Sequence, residues 1–237
     1  MKLNRILTAI QRYHRSKGHG IHSPFAFRFT LNVLRERLPY YAYEDLELLR
    51  RSVIDQSRRL WHHPRVMSYK NAKLLFRIVN FFNPTEILQI GTNYGLSSAS
   101  MLAVSSKTVL HLCEPNVNEY HVTRDILSHF GNPVKQYANL NNALNVYRNS
   151  ECGKSNPFIL VNNIKNDEYS TLLNYIYDIS QGYGVIVIRN IITNAVQKSL
   201  WEACKNVAPT GMTFCNGKTA IIVASPKLPH QNFSLWF

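Results

Sequence analysis

The chemistry-bearing part of this 237-residue chain is the segment Glu86-Ile-Leu-Gln-Ile-Gly91-Thr-Asn-Tyr-Gly95-Leu-Ser-Ser, with Glu114 following 23 residues after Gly91. An apolar run feeds directly into two glycines and then into helix-forming residues. A glycine at position 91 lets the backbone turn sharply and approach a ligand with no Cβ in the way, and Gly95 does the same where the next helix starts. Amides at that helix start favour an anionic group. An acid about 20 residues beyond a glycine turn, at the end of the next strand, is placed to accept hydrogen bonds from ribose hydroxyls. The order strand, glycines, helix, strand, acid points to a ligand containing a nucleoside. The other reading of the same residues is a tightened turn with a solvated Glu114.

Other residues could act on a substrate. His19 and His22 flank a glycine turn, Asp167 and Glu168 follow an apolar strand, and Arg189 offers a planar fork for an anion. The structural alternatives are hydrogen-bonding histidines and carboxylates at a helix start.

These residues must be positioned by alternating elements. Leu3, Ile6, Leu7 and Ile10 make one apolar face of a helix over residues 3–17, either lying over the following domain or on a membrane surface; the first is favoured. Gly18-His-Gly20 breaks it, Ser23-Pro24 caps a new helix, and a further helix covers 43–60. From residue 68 the pattern is that of a parallel sheet wound with helices. Helices are expected over 69–82, 96–104, 118–130, 140–148, 168–180 and 194–206. Strands are expected over 86–90, 108–113, 134–137, 158–161, 185–188, 212–215 and 220–224. Asn216-Gly217 predicts an antiparallel hairpin at the end. The organisation is therefore a basic N-terminal helical extension over 1–67 and an α/β domain over 68–237.

The stretch Lys70–Glu114 resembles motif I and the following acid of class I S-adenosylmethionine-dependent methyltransferases, among them bacterial proteins related to small-molecule O-methyltransferases. The likeness extends to Phe158–Tyr175, Gly184–Ile191 and Phe233–Phe237, and Gly18–Phe25 resembles a recurrent opening of a bacterial subgroup. The resemblance implies a Rossmann-like, seven-stranded α/β sheet, mostly parallel with a terminal antiparallel hairpin, and S-adenosylmethionine as cofactor. Gly91, Thr92, Asn93 and Gly95 would line its methionine end, Gln89 would stand where relatives carry an acid, and Glu114 would hold the ribose. Relatives that use a metal place acids at the ends of the fourth and fifth strands. Here those places read Val161-Asn-Asn-Ile164 and Ile188-Arg-Asn190, and amides beside a cation suit Mg²⁺ poorly. No catalytic metal is expected, and Arg189 and Asn163 are the candidates for holding substrate. The stretch before the core is basic, Arg58–Arg65, where the subgroup is acidic and glycine-rich.

Net charge is +13, and residues 1–65 hold 13 Lys and Arg against 5 Asp and Glu. Such a surface attracts phosphates, anionic lipids or acidic partners. No base-flipping motif or RNA-binding module accompanies it, which argues against nucleic acid as the substrate. Cys113, Cys152, Cys204 and Cys215 show no paired spacing and read as reduced thiols of a cytoplasmic protein. No run reaches the roughly 18 apolar residues of a membrane span. The leading reading is a metal-independent methyltransferase acting on a small molecule or side chain, anionic by the charge argument. The second is a catalytically degenerate relative that binds cofactor or product as a regulatory module. The oligomeric state is not legible.

Overall fold

A computed structural model describes residues 10–60, 66–205 and 209–237. Leu3, Ile6, Leu7 and residues 61–65 of the basic stretch before the core lie outside them. Helix α1 spans residues 10–16 and ends at the Gly18–Gly20 turn. Helix α2 (Pro24–Phe29) opens as its sequence dictates. Ser23 Oγ accepts the Ala26 N–H, Pro24 opens the first turn, and the helix runs into a π-turn over Thr30–Leu34. Helices α3 (Tyr43–Leu60) and α4 (Tyr69–Phe82) follow.

Strands β1 (Glu86–Ile90), β2 (Val109–Cys113), β3 (Val134–Tyr137), β4 (Phe158–Val161) and β5 (Gly184–Ile188) are parallel. They alternate with α5 (Leu96–Leu102), α6 (Val117–Leu127), α7 (Leu140–Asn149), α8 (Glu151–Ser155) and α9 (Tyr169–Ser180), and α10 (Ala195–Cys204) follows β5. Strands β6 (Met212–Cys215) and β7 (Ala220–Ala224) form the expected hairpin. Asn216 Oδ1 accepts the N–H of both Lys218 and Thr219, and Gly217 takes φ +87°.

The sheet has eight strands, not seven, in the order β3-β2-β1-β4-β5-β7-β6-β8. The extra strand β8 (Gln231–Ser234) pairs parallel with β6. Only four residues long and polar at three of them, it carries no periodicity that a sequence could advertise. Phe233 holds it in place by stacking on Phe214 with ring centroids 5.2 Å apart.

Because the central strands are buried on both faces, they read as continuous apolar runs. One face packs against α4, α5 and the N-terminal segment, with Phe29, Val33, Leu75 and Ile78 in one cluster with Ile87, Leu160 and Val187. The opposite face packs against α7, α9 and α10 through Leu144, Tyr147, Tyr175 and Trp201. Strand order reverses beside β1, which lies between β2 and β4, so a crevice opens above the carboxyl ends of β1 and β4.

Candidate functional site

A cavity of about 360 Å³ sits in that crevice. Ile90 and Gly91 form its floor after β1, Cys113 to Asn116 form the wall after β2, and Asn163 to Lys165 form the wall after β4, with Glu119 and Glu168 completing it. The volume is in the range of small-molecule pockets.

The loop from 91 to 95 is unusual in its backbone: Gly91, Asn93, Tyr94 and Gly95 all have φ between +51° and +82°. For Asn93 and Tyr94 this left-handed geometry costs roughly 1–2 kcal/mol each. The surroundings hold it there. The Tyr94 side chain is buried among Phe76, Ala99, Val122 and Ile126. Asn93 Oδ1 accepts the Met67 N–H at 3.0 Å. The glycines are required by protein packing rather than by ligand approach. A Cβ at 91 would stand 3.0 Å from the Asn163 nitrogen, and one at 95 would stand 3.0 Å from Thr123 Cα on α6.

Glu114 faces the cavity and anchors the loop at the same time. Its Oε2 accepts the Thr92 N–H at 2.7 Å and the Thr92 hydroxyl at 3.0 Å, and its Oε1 accepts the Asn116 N–H at 2.8 Å. A carboxylate oxygen has more than one acceptor lone pair, and the Asn116 N–H occupies one of those on Oε1. Glu119 joins it: the Thr92 hydroxyl lies 3.4 Å from Glu119 Oε2, and backbone N–H groups of Tyr94 and Asn93 also donate to this carboxylate. Burial, and then the Glu114 charge, raise the Glu119 pKa above the usual carboxylate value, and the three hydrogen bonds only partly offset them. Burial, followed by the charges of Glu168 and Glu114, pushes the Cys113 thiol up to about 12, so it stays protonated and is no nucleophile.

The residues singled out from sequence divide sharply. Gly91, Glu114 and Asn163 line the cavity. Gln89, Thr92, Asn93 and Gly95 are not among its lining residues; they build the loop instead. Gln89 is fully buried, its amide donating to the Gly91 carbonyl at 2.9 Å and to Ser97 Oγ at 3.0 Å, while its Oε1 accepts from Ser98. Arg189 also turns inward. It is 5% exposed, and its Nη1 donates to Asn162 Oδ1 at 2.7 Å. Asn162 in turn donates to the Gly91 carbonyl and to Ser97, each at 2.8 Å. Burial lowers the Arg189 pKa to about 10, which leaves it charged at neutral pH.

His19 and His22 are exposed and do not line the cavity. The side chain of Ser23, next to His22, contacts Met212 at the start of β6, which the register sets level with Val185. That is the amino end of the parallel strands, opposite the crevice. Asp167 is exposed and outside the cavity, whereas its neighbour Glu168 lines it and accepts the Lys165 N–H at 3.1 Å.

Glu119, Cys113, Asn116 and Lys165 are lining residues not expected from the sequence. Glu119 carried a misleading signal. Asn116-x-x-Glu119 is a capping-box spacing, in which the acid bonds back to the Asn116 N–H. That N–H goes to Glu114 instead, freeing Glu119 for the loop.

No protein-family model matches the sequence, and no curated protein aligns with it. Solved structures do match in fold. The O-methyltransferase of Bacillus cereus in complex with SAH shares 16% identity, with a TM-score of 0.58 over 81% of this chain and 95% of that one. TomG from Streptomyces achromogenes, an O-methyltransferase of tomaymycin synthesis in complex with SAM, shares 16% identity, with a TM-score of 0.57 over 84% and 95%. SAH-bound PaMTH1 of Podospora anserina shares 16% identity, with a TM-score of 0.52 over 85% and 96%. The fold is that of the class I, Rossmann-like O-methyltransferases, with one further edge strand.

Proposed function

We propose that this chain, built on the class I methyltransferase fold, binds S-adenosylmethionine above β1 and methylates a small-molecule or side-chain acceptor without a metal ion. The observation that carries the reading is Glu114, a carboxylate held by two backbone amides at the wall of a cavity that opens at the strand-order reversal. Its remaining lone pair suits a ribose hydroxyl. Glu119 adds a second negative charge to the same wall, which favours a ligand carrying positive charge.

When bound, the sulfonium supplies an already activated methyl group, so the protein's part is alignment and proton handling. Gly91 keeps the loop low against Asn163 so that the cavity stays open between β1 and β4. Lys165 and Glu168, on the β4 side, are assigned to the acceptor: the ammonium attracts an anionic acceptor, and the carboxylate receives a proton. Arg189 acts as a positioning residue through Asn162, which ties β4 to the Gly91 carbonyl. The side chains at the ends of β4 and β5 are ill suited to a divalent ion. Asn162 Oδ1 is taken by Arg189, Asn163 Oδ1 by Asn194, and a guanidinium charge sits among them.

Calorimetric titration with S-adenosylmethionine and its demethylated product tests the reading, with Glu114→Ala expected to weaken binding about tenfold to a hundredfold, the loss of a charged hydrogen bond. Absence of binding at sub-millimolar ligand rejects it. Transfer of labelled methyl groups into fractionated extract then identifies the acceptor. Tight binding without any labelled product replaces the enzyme with a binding module.

A further inference from the structure

Helix α1 leaves its apolar residues in solvent and packs on its own domain through polar ones. Two of its polar residues face the body, Arg12, whose Nε donates to Ser234 Oγ at 2.7 Å, and the fully buried Ser16, which accepts the Trp236 N–H at 2.6 Å, while Gln11, His14 and Arg15 are exposed. At 3.6 residues per turn, Ile10 falls on the other side of the helix and Tyr13 on the flank next to it, and they are 49% and 44% exposed. In the sequence, Leu3, Ile6 and Leu7 continue the spacing of Ile10. A helix that packs by its apolar stripe would bury that edge.

Charge surrounds the same edge. The first 35 residues contain 7 Lys and Arg and no Asp or Glu. Lys17 Nζ lies 4.6 Å from the centroid of the Tyr13 ring and the Arg35 guanidinium 5.5 Å from it. Phe27, against Gly18, is 44% exposed, and Trp236, following the strand that α1 rests on, is 55% exposed. An exposed aliphatic residue, flanking cations and exposed aromatic rings are what an interfacial helix presents to a bilayer.

We infer that this edge of the molecule docks on an anionic lipid surface, with α1 lying in the plane of the interface and Ile10 and Tyr13 toward the acyl chains. Single-stranded nucleic acid fits less well. Bases stack on free aromatic faces, whereas Tyr13 is already flanked by two cations and Ile10 offers no stacking. A second copy fits less well again, because a two-fold contact would set the same unbalanced cations against themselves.

Flotation of the full-length chain with vesicles of phosphatidylcholine alone, or mixed with phosphatidylglycerol, tests this. Binding is expected only with phosphatidylglycerol, weakening as salt rises. Lys17→Ala should lower it about fivefold. Ile10→Glu should lower it about tenfold or more at an unchanged melting temperature. The inference is overturned by lack of binding to phosphatidylglycerol vesicles at low salt, or by binding that Ile10→Glu leaves unchanged. It also falls if a single-stranded oligonucleotide is retained by both forms while vesicles are not, or if a lipid-free dimer dissociates in Ile10→Glu.

Discussion

Two carboxylates on one hydroxyl define the site at the level of single residues. Glu114 and Glu119 share Thr92, and the Glu119 pKa is raised, by burial first and by Glu114 second. The folded chain therefore holds the Glu119 proton more tightly than the unfolded chain does. This contribution destabilises the fold progressively as pH rises from the ordinary carboxylate value of about 4.3 through the raised value, and the cost is absent below that window. Glu119→Gln is accordingly expected to raise the melting temperature at pH 7, by the order of 2–4 °C that about 1 kcal/mol produces in a chain of this size. The difference should vanish near pH 4, and melting curves across pH read it directly. An equal gain at both pH values would mean that packing rather than charge sets the effect. A cationic ligand in the cavity should narrow the gap between the two forms at pH 7, because it lowers the repulsion that the substitution removes.

The loop between β1 and α5 is the element that converts these side chains into a site. Its left-handed residues hold because Gln89, Asn162 and Ser97 secure it from below and Glu119 secures it from the side. Gly91→Ala forces a Cβ at φ +77° against the backbone nitrogen of Asn163. A loss of about 1–2 kcal/mol follows from the backbone conformation alone, with further cost from the overlap, and the ends of β1 and β4 should be driven apart. Thermal melting and ligand titration should both register it. Gly131→Ala is the control, since an added Cβ there meets nothing within 4 Å and should leave both measurements unchanged. Gly95 belongs to a different contact, the approach of α5 to α6. Its replacement should cost stability with a smaller effect on ligand affinity.

For the whole molecule, the eighth strand matters because it closes an edge. Strand β6 would otherwise leave one side of its backbone unpaired beside the buried ring of Phe214. Removal of residues 226–237 is expected to lower the melting temperature and to produce concentration-dependent light scattering. Phe233→Ala should give a milder loss of about 2 kcal/mol, below the range for a fully buried ring because Phe233 is only half-buried. The same tail carries Ser234 and Trp236, the residues on which α1 rests, so its removal should also weaken the vesicle binding inferred for α1.

Much of the fold was legible because it is written in local periods. The spans of α4, β3, β4, β6 and β7 follow from apolar spacing, the Ser23-Pro24 start from capping chemistry and the hairpin from Asn216-Gly217. The glycine loop and Glu114 were legible for a similar reason, since they are fixed by their order along the chain. Local spacing does not reveal which partner a polar side chain chooses. Gln89 and Arg189 could have faced a ligand, and both instead serve the loop and Asn162. Glu119 could have capped its own helix, but Glu114 took the amide it would have used. His19 and His22 lie near the amino end of the sheet because Ser23 sits beside Met212. The sequence by itself determined the elements other than α8 and β8, their order and the crevice, since each rests on contacts between near neighbours or on a repeating pattern. Tertiary structure alone decided which carboxylates face that crevice and which edge of α1 faces outward, because both depend on competition among groups far apart in the chain.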